Sequence, residues 1–121
     1  MAASPAEADR LKRWRFGFIA SLPCIACALG PPSQVAHVRI SDAQLGKFNA
    51  MAKKPDDFVL PLCWRCHSLQ HQGEVSYWAA LGIDPLDYAF RLHGVSGDAR
   101  AGTAIIAEAW KFIWQHRRTT A

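Results

Sequence analysis

The chain has 121 residues, half of them hydrophobic, with a net charge of +4, four cysteines and five histidines. That length suits one domain with a modest core that gains from a staple or a metal, and the composition excludes disordered and collagen-like chains. The mild basic excess favours an acidic partner, nucleic acid being the commonest, while no apolar run is long enough to span a bilayer, so no membrane partner is expected.

In chain order, "SPAE" opens a helix, with Ser4 as N-cap, Pro5 as first helical residue and Glu7 as capping-box partner. The pattern stays helical to about Ser21. Leu11, Trp14, Phe18 and Ile19 can share one face, while Arg10, Lys12, Arg13 and Arg15 populate the others. Basic residues ahead of a mostly apolar run from Phe16 to Gly30 also resemble an export signal. Pro23, the cysteines within the run and the helix start before it argue against export, so a cytoplasmic chain is expected.

Leu22-Pro23 ends the helix and Cys24-x-x-Cys27 follows. After a turn at "LGPPS", the β-branched residues of "QVAHVRI" predict a short strand from Gln34 to Ile40. Ser41 to Asp57 is polar, is broken by Gly46 and Pro55, and reads as a loop with room for one helical turn around Ala43 to Ala52. "FVLPL" (Phe58 to Leu62) is a second strand, Pro61 placing that end at an edge or bend.

A helix then runs from near Trp64 to a stop at Gly73. "EVSYWAAL", "DPLDYAFRLH" and "DARAGTAIIAEAWKFIWQHRR" predict three more, with Asp84-Pro85 and Asp98 as start signals. In the last, Ile105, Ala109 and Ile113, flanked by Ile106, Trp110 and Trp114, form an apolar stripe assigned to the core. The expected fold is α+β and mostly helical, one domain over residues 1–121, with its core at about 22–78 and a helical C-terminal part at about 74–118.

The stretch "PLCWRCHSLQH" carries the densest chemistry, holding two cysteines and two histidines. The pairs Cys24/Cys27 and Cys63/Cys66 account for every cysteine in the chain. Each supplies two thiolates from a tight turn, so a four-cysteine structural zinc would tie the end of the first helix to the start of the one after "FVLPL". Two disulfides are the alternative and require an oxidising compartment. The string Cys63-x-x-Cys66-His67 also matches covalent haem attachment, which leaves Cys24 and Cys27 unexplained and requires export. On a helix, His67 and His71 share one face at i, i+4 and can hold a metal together, on a different side from Cys66. The plainer alternative makes His67 part of the zinc surroundings and His71 a solvated residue.

The order "LPC-x-x-C", "AHVR", "KPDD", "VLPLC-x-x-CH-x-x-x-H-x-G" and a following Trp resembles the ββα-metal (HNH) nuclease superfamily. It is most similar to the prophage-encoded YbcO-type nucleases and the Ref-type phage recombination nucleases, over about Leu22 to Trp78. The resemblance implies a metal-dependent DNA endonuclease with a ββα-metal core, in a phage or prophage setting. His37 is the implied general base, and His67 and His71 the implied ligands of a catalytic divalent metal, Mg2+, Mn2+ or Zn2+. Cleavage would leave a 5′ phosphate and a 3′ hydroxyl.

Arg39, on the same strand face as His37, is an expected phosphate contact, and Lys53, Lys54 and Arg65 are expected backbone contacts. DNA is the implied partner, with a recombinase filament as a further candidate. The chain departs from the family pattern at two places. Ala36 stands where many members have a metal ligand immediately before the base. The middle asparagine has its nearest positional equivalent in Asp57, beside Asp56, although "KPDD" also reads as a solvated turn and Asn49 falls too early. A non-catalytic, zinc-stabilised nucleic-acid-binding module is the alternative function.

Overall fold

Ser4 caps the first helix, α1 (Pro5–Ala20), its Oγ accepting the Glu7 N–H at 3.2 Å, and Pro5 occupies the first turn, where a missing N–H costs nothing. The computed structural model describes residues 4–40 and 58–120. The loop expected over 41–57, with Lys53, Lys54 and Asp57, lies outside the described residues. After α1 come β1 (Gln34–His37), β2 (Val59–Leu62), α2 (Trp64–Gln72), α3 (Glu74–Leu81), α4 (Pro85–Gly94) and α5 (Ala99–Thr120). The mostly helical α+β architecture is the one the sequence predicts.

The strands pair antiparallel, with Gln34 opposite Leu62, Val35 opposite Pro61, Ala36 opposite Leu60 and His37 opposite Val59. A further bond from Val38 N to Phe58 O, 3.1 Å, extends the pairing. Pro61 has no N–H to give, and its carbonyl accepts instead from Ile25 N at 2.9 Å, which ties the Cys24–Cys27 turn to β2. β1 is shorter than the predicted Gln34 to Ile40, and the Arg39 N–H, which alternation points away from β2, donates to the Glu74 carboxylate. Strand alternation sends Ala36 and Val38 into the core and leaves Val35, His37 and Arg39 on the opposite face.

β2 is buried along its whole length and shares one core with Leu22, Ile25, Ile40, Trp78, Leu92 and Ile106, all almost fully enclosed. Each such side chain contributes about 1.5–3 kcal/mol relative to exposure. From α1, Phe18 and Ile19 join this core, but Leu11 and Trp14 do not and stay about half exposed. Trp14 instead lies over Gly97, whose φ of +89° and absent Cβ permit the contact; a Cβ there would come 2.5 Å from the indole. On α5 the buried line is Ile106, Ala109 and Ile113, with Ile105 and Trp110 half-buried and Trp114 facing outward. Ala109 and Ile113 are buried as predicted, while Ile106 rather than Ile105 completes the buried line. Among the described residues, no helix is long and apolar enough to cross a membrane.

Candidate metal centre and adjoining cleft

Cys24 and Cys27 come from the turn after α1, and Cys63 and Cys66 from the start of α2. Their four Sγ atoms all lie within 4.8 Å of one another, with Cys27 Sγ and Cys63 Sγ 3.7 Å apart. The edge of a tetrahedron of sulfurs about 2.3 Å from a zinc is roughly 3.8 Å, so the spacing fits that ion. All four are free thiols, and three are buried. The turn is held by Ala28 N to Cys24 O at 3.0 Å and Cys24 N to Leu29 O at 2.9 Å, with Ala28 in the left-handed region at φ 69°. Trp110 Nε1 reaches the same Cys24 carbonyl from α5 at 2.9 Å.

Burial pushes the Cys24 and Cys66 thiols up, Cys66 further through the neighbouring thiolates. At Cys63 burial also opposes ionisation, but the Cys66 N–H and the adjacent thiols outweigh it and lower the group to about 7. Tyr77, beside Cys66, is raised by burial first and then by that thiol. Four thiolates this close repel one another, and a divalent cation turns that repulsion into ligation. The tetrad is positioned to bind a metal, and its donors fit a structural zinc.

On another side of α2 lies an open cleft of about 330 Å³, lined by Val35, His37, Arg39, His67, Gln70, His71 and Glu74. His67 and His71 present Nε2 atoms 3.1 Å apart, with ring centroids at 4.7 Å. His67 Nδ1 stands 2.8 Å from Gln34 Oε1. An amide oxygen only accepts, so Nδ1 carries the proton and the Nε2 lone pair faces His71. Burial, then the nearby His71 and His37, lower the His67 pKa and keep its ring neutral, the form a metal ligand requires.

His37 packs edge-on against Phe16 of α1 at 5.7 Å, and its carbonyl accepts Gln70 Nε2 at 3.0 Å. The Glu74 carboxylate accepts from Arg39 N at 3.1 and 3.3 Å, from Gln70 Nε2 at 3.2 Å and from Trp78 Nε1 at 3.1 Å. The structure thus brings His37, Arg39, His67 and His71 to one cleft. Arg65 is exposed on α2 away from the cleft lining, and Ala36 is wholly buried in the core. Among the described residues the four cysteines are the one cluster of three or more metal-capable side chains within ligand range.

Sequence reasoning missed Gln34, Gln70 and Glu74. Gln70 falls at i+3 from His67, which was the available signal for a shared helix side; the parts of Gln34 and Glu74 depend on contacts between elements far apart in the chain. Comparison of the chain with protein-family models, with curated proteins and with solved structures finds no match.

Proposed function

We propose that the chain is a metal-dependent DNA endonuclease of the HNH type, acting in the cytoplasm in a phage or prophage setting. The observation that carries this reading is the meeting of His37, from β1, with the His67/His71 pair, from α2, in one cleft. Two strands followed by a helix is the order of a ββα-metal core, and the buried cysteine tetrad beside it serves as the staple.

His37 is the general base that takes a proton from the attacking water, a task for which an imidazole is suited near neutral pH. His67 and His71 would hold a divalent metal, Mg2+, Mn2+ or Zn2+, which supplies Lewis-acid stabilisation of charge on the phosphate and the departing oxygen. Gln34 fixes the His67 ring in the tautomer that ligation needs. Arg39, exposed at the cleft, contacts a substrate phosphate, and the basic residues of α1 and Arg65 add salt-sensitive backbone contacts. A recombinase filament is a candidate partner for this activity.

The test is cleavage of labelled single-stranded and duplex DNA by metal-stripped protein with Mg2+, Mn2+ or Zn2+ restored. Wild type should cut, and His37→Ala should lose about 10²–10⁴-fold in rate with folding and zinc content intact. The buried Ala36, which offers no ligand, favours a second reading as a zinc-stabilised nucleic-acid-binding module. DNA binding without cleavage under any metal would establish that one.

A further inference from the structure

A base and a metal pair carried on different elements work only if something sets their separation. His37 is the last residue of β1, a four-residue strand in a two-stranded sheet, and His67 and His71 ride on α2. The ladder bonds β1 to β2, so it does not by itself fix β1 against α2.

Beside the Gln34–His67 bond at the other end of β1, two side chains, Gln70 of α2 and Glu74 at the start of α3, make that link at the His37 end. Gln70 Nε2 donates to the His37 carbonyl at 3.0 Å and to Glu74 Oε2 at 3.2 Å. Glu74 accepts the Arg39 N–H with both oxygens, at 3.1 and 3.3 Å, and is itself held by Trp78 Nε1 at 3.1 Å. The backbone is therefore gripped on both sides of Val38, immediately after His37, by Gln70, which lies between His67 and His71 on α2, and by Glu74, the first residue of α3. Gln70 is 3% exposed, and its Oε1 is buried with no partner among the described residues. The unsatisfied buried amide oxygen costs stability, which offsets part of what the two bonds donated by Nε2 contribute to the fold. What Gln70 adds is the bond to His37.

We propose that Gln70 and Glu74 are positioning residues that hold His37 at its working distance from the His67/His71 pair. The proposal rests on the nuclease reading for its catalytic consequence, but not for the link itself. Positioning errors of about 1 Å cost on the order of 10²-fold in rate.

The experiment compares wild type, Gln70→Met and Glu74→Gln in DNA cleavage with Mn2+, alongside melting temperature, zinc content and exchange of the Arg39 amide by NMR. Gln70→Met should lower kcat about 10–100-fold with KM and zinc content unchanged and only a small change in melting temperature. Glu74→Gln, which keeps an acceptor oxygen, should lose less in kcat while the Arg39 amide exchanges faster. A purely structural role gives the opposite split, a lower melting temperature with kcat intact, and overturns the proposal. Wild type that cuts beside variants that cut equally well also overturns it and leaves the nuclease reading standing. Wild type that never cuts overturns the nuclease reading and the catalytic role together, even with Arg39 exchange accelerated in Glu74→Gln.

Discussion

Gln34 Oε1 accepts from His67 Nδ1 at 2.8 Å, joining the first residue of β1 to the middle of α2. The bond fixes which nitrogen of His67 is free, and such outer partners typically control ligand affinity by about 10–100-fold. Gln34→Leu should weaken Mn2+ or Zn2+ binding at the histidine pair by that factor, read by calorimetry on protein whose cysteine site is already filled. Gln34→Glu, which keeps an acceptor oxygen, should retain affinity. Equal affinity in Gln34→Leu and wild type would show that the amide does not govern the ligand.

The cysteine tetrad makes a separate prediction, because its sulfurs join the loop after α1 to the start of α2 across the core. Structural zinc binding amounts to about 10–16 kcal/mol in small zinc-finger peptides, as large as the roughly 5–15 kcal/mol of a whole domain's stability. Cys66→Ser should therefore abolish zinc retention and the cooperative thermal transition, whereas His67→Ala should keep both. Metal analysis and circular dichroism on the two variants make the comparison. A Cys66→Ser protein that melts like wild type would rule out a structural metal there.

Local chemistry was legible in the sequence wherever one element decides the outcome. Ser4-Pro5 at the start of α1, Asp84-Pro85 at α4 and Gly73 after α2 all act within a few residues, and each helix boundary falls close to its signal. The two C-x-x-C turns were legible as a cluster because four soft donors in two tight pairs have few other arrangements. Faces that depend on a distant partner were not. Trp14 leaves the predicted apolar face because Gly97 offers it a flat surface, and on α5 Ile106 rather than Ile105 is buried while Trp114 faces outward. Gln34, Gln70 and Glu74 escaped for the same reason: each acts through a bond to an element that periodicity does not bring to mind.

Trp110 ties α5 to the Cys24–Cys27 turn, its Nε1 donating to the Cys24 carbonyl at 2.9 Å. Trp110→Phe keeps most of the aromatic contact and removes the donor. The Cys24 carbonyl then keeps only its bond from Ala28 N, and loss of the second hydrogen bond costs about 0.5–1.5 kcal/mol, falling on the loop that presents Cys24 and Cys27. Chemical denaturation should show that destabilisation in zinc-loaded protein, and a chelator should extract zinc faster from the variant. If denaturation midpoint and extraction rate both match wild type, the bond does not support the metal site.

Glu108 on α5 accepts from Arg91 Nη1 and from the Tyr88 hydroxyl on α4, the latter at 3.3 Å. The Arg91 hydrogen bond, reinforced by its charge and by Tyr88, lowers the Glu108 pKa below its ordinary 4.5. A depressed carboxyl pKa means that the unfolded chain takes up a proton at a higher pH than the folded one. Its stabilisation is thus fully present above about pH 4.5 and is lost as pH falls through the folded value. The melting temperature of Glu108→Gln should lie below that of wild type at neutral pH, by a small margin because the pair is partly solvated. The gap should narrow below about pH 4.5 and close under stronger acid, while high salt should shrink it at neutral pH. A gap that keeps its size down the whole acid range would mean that Glu108 holds α4 and α5 by shape rather than by charge.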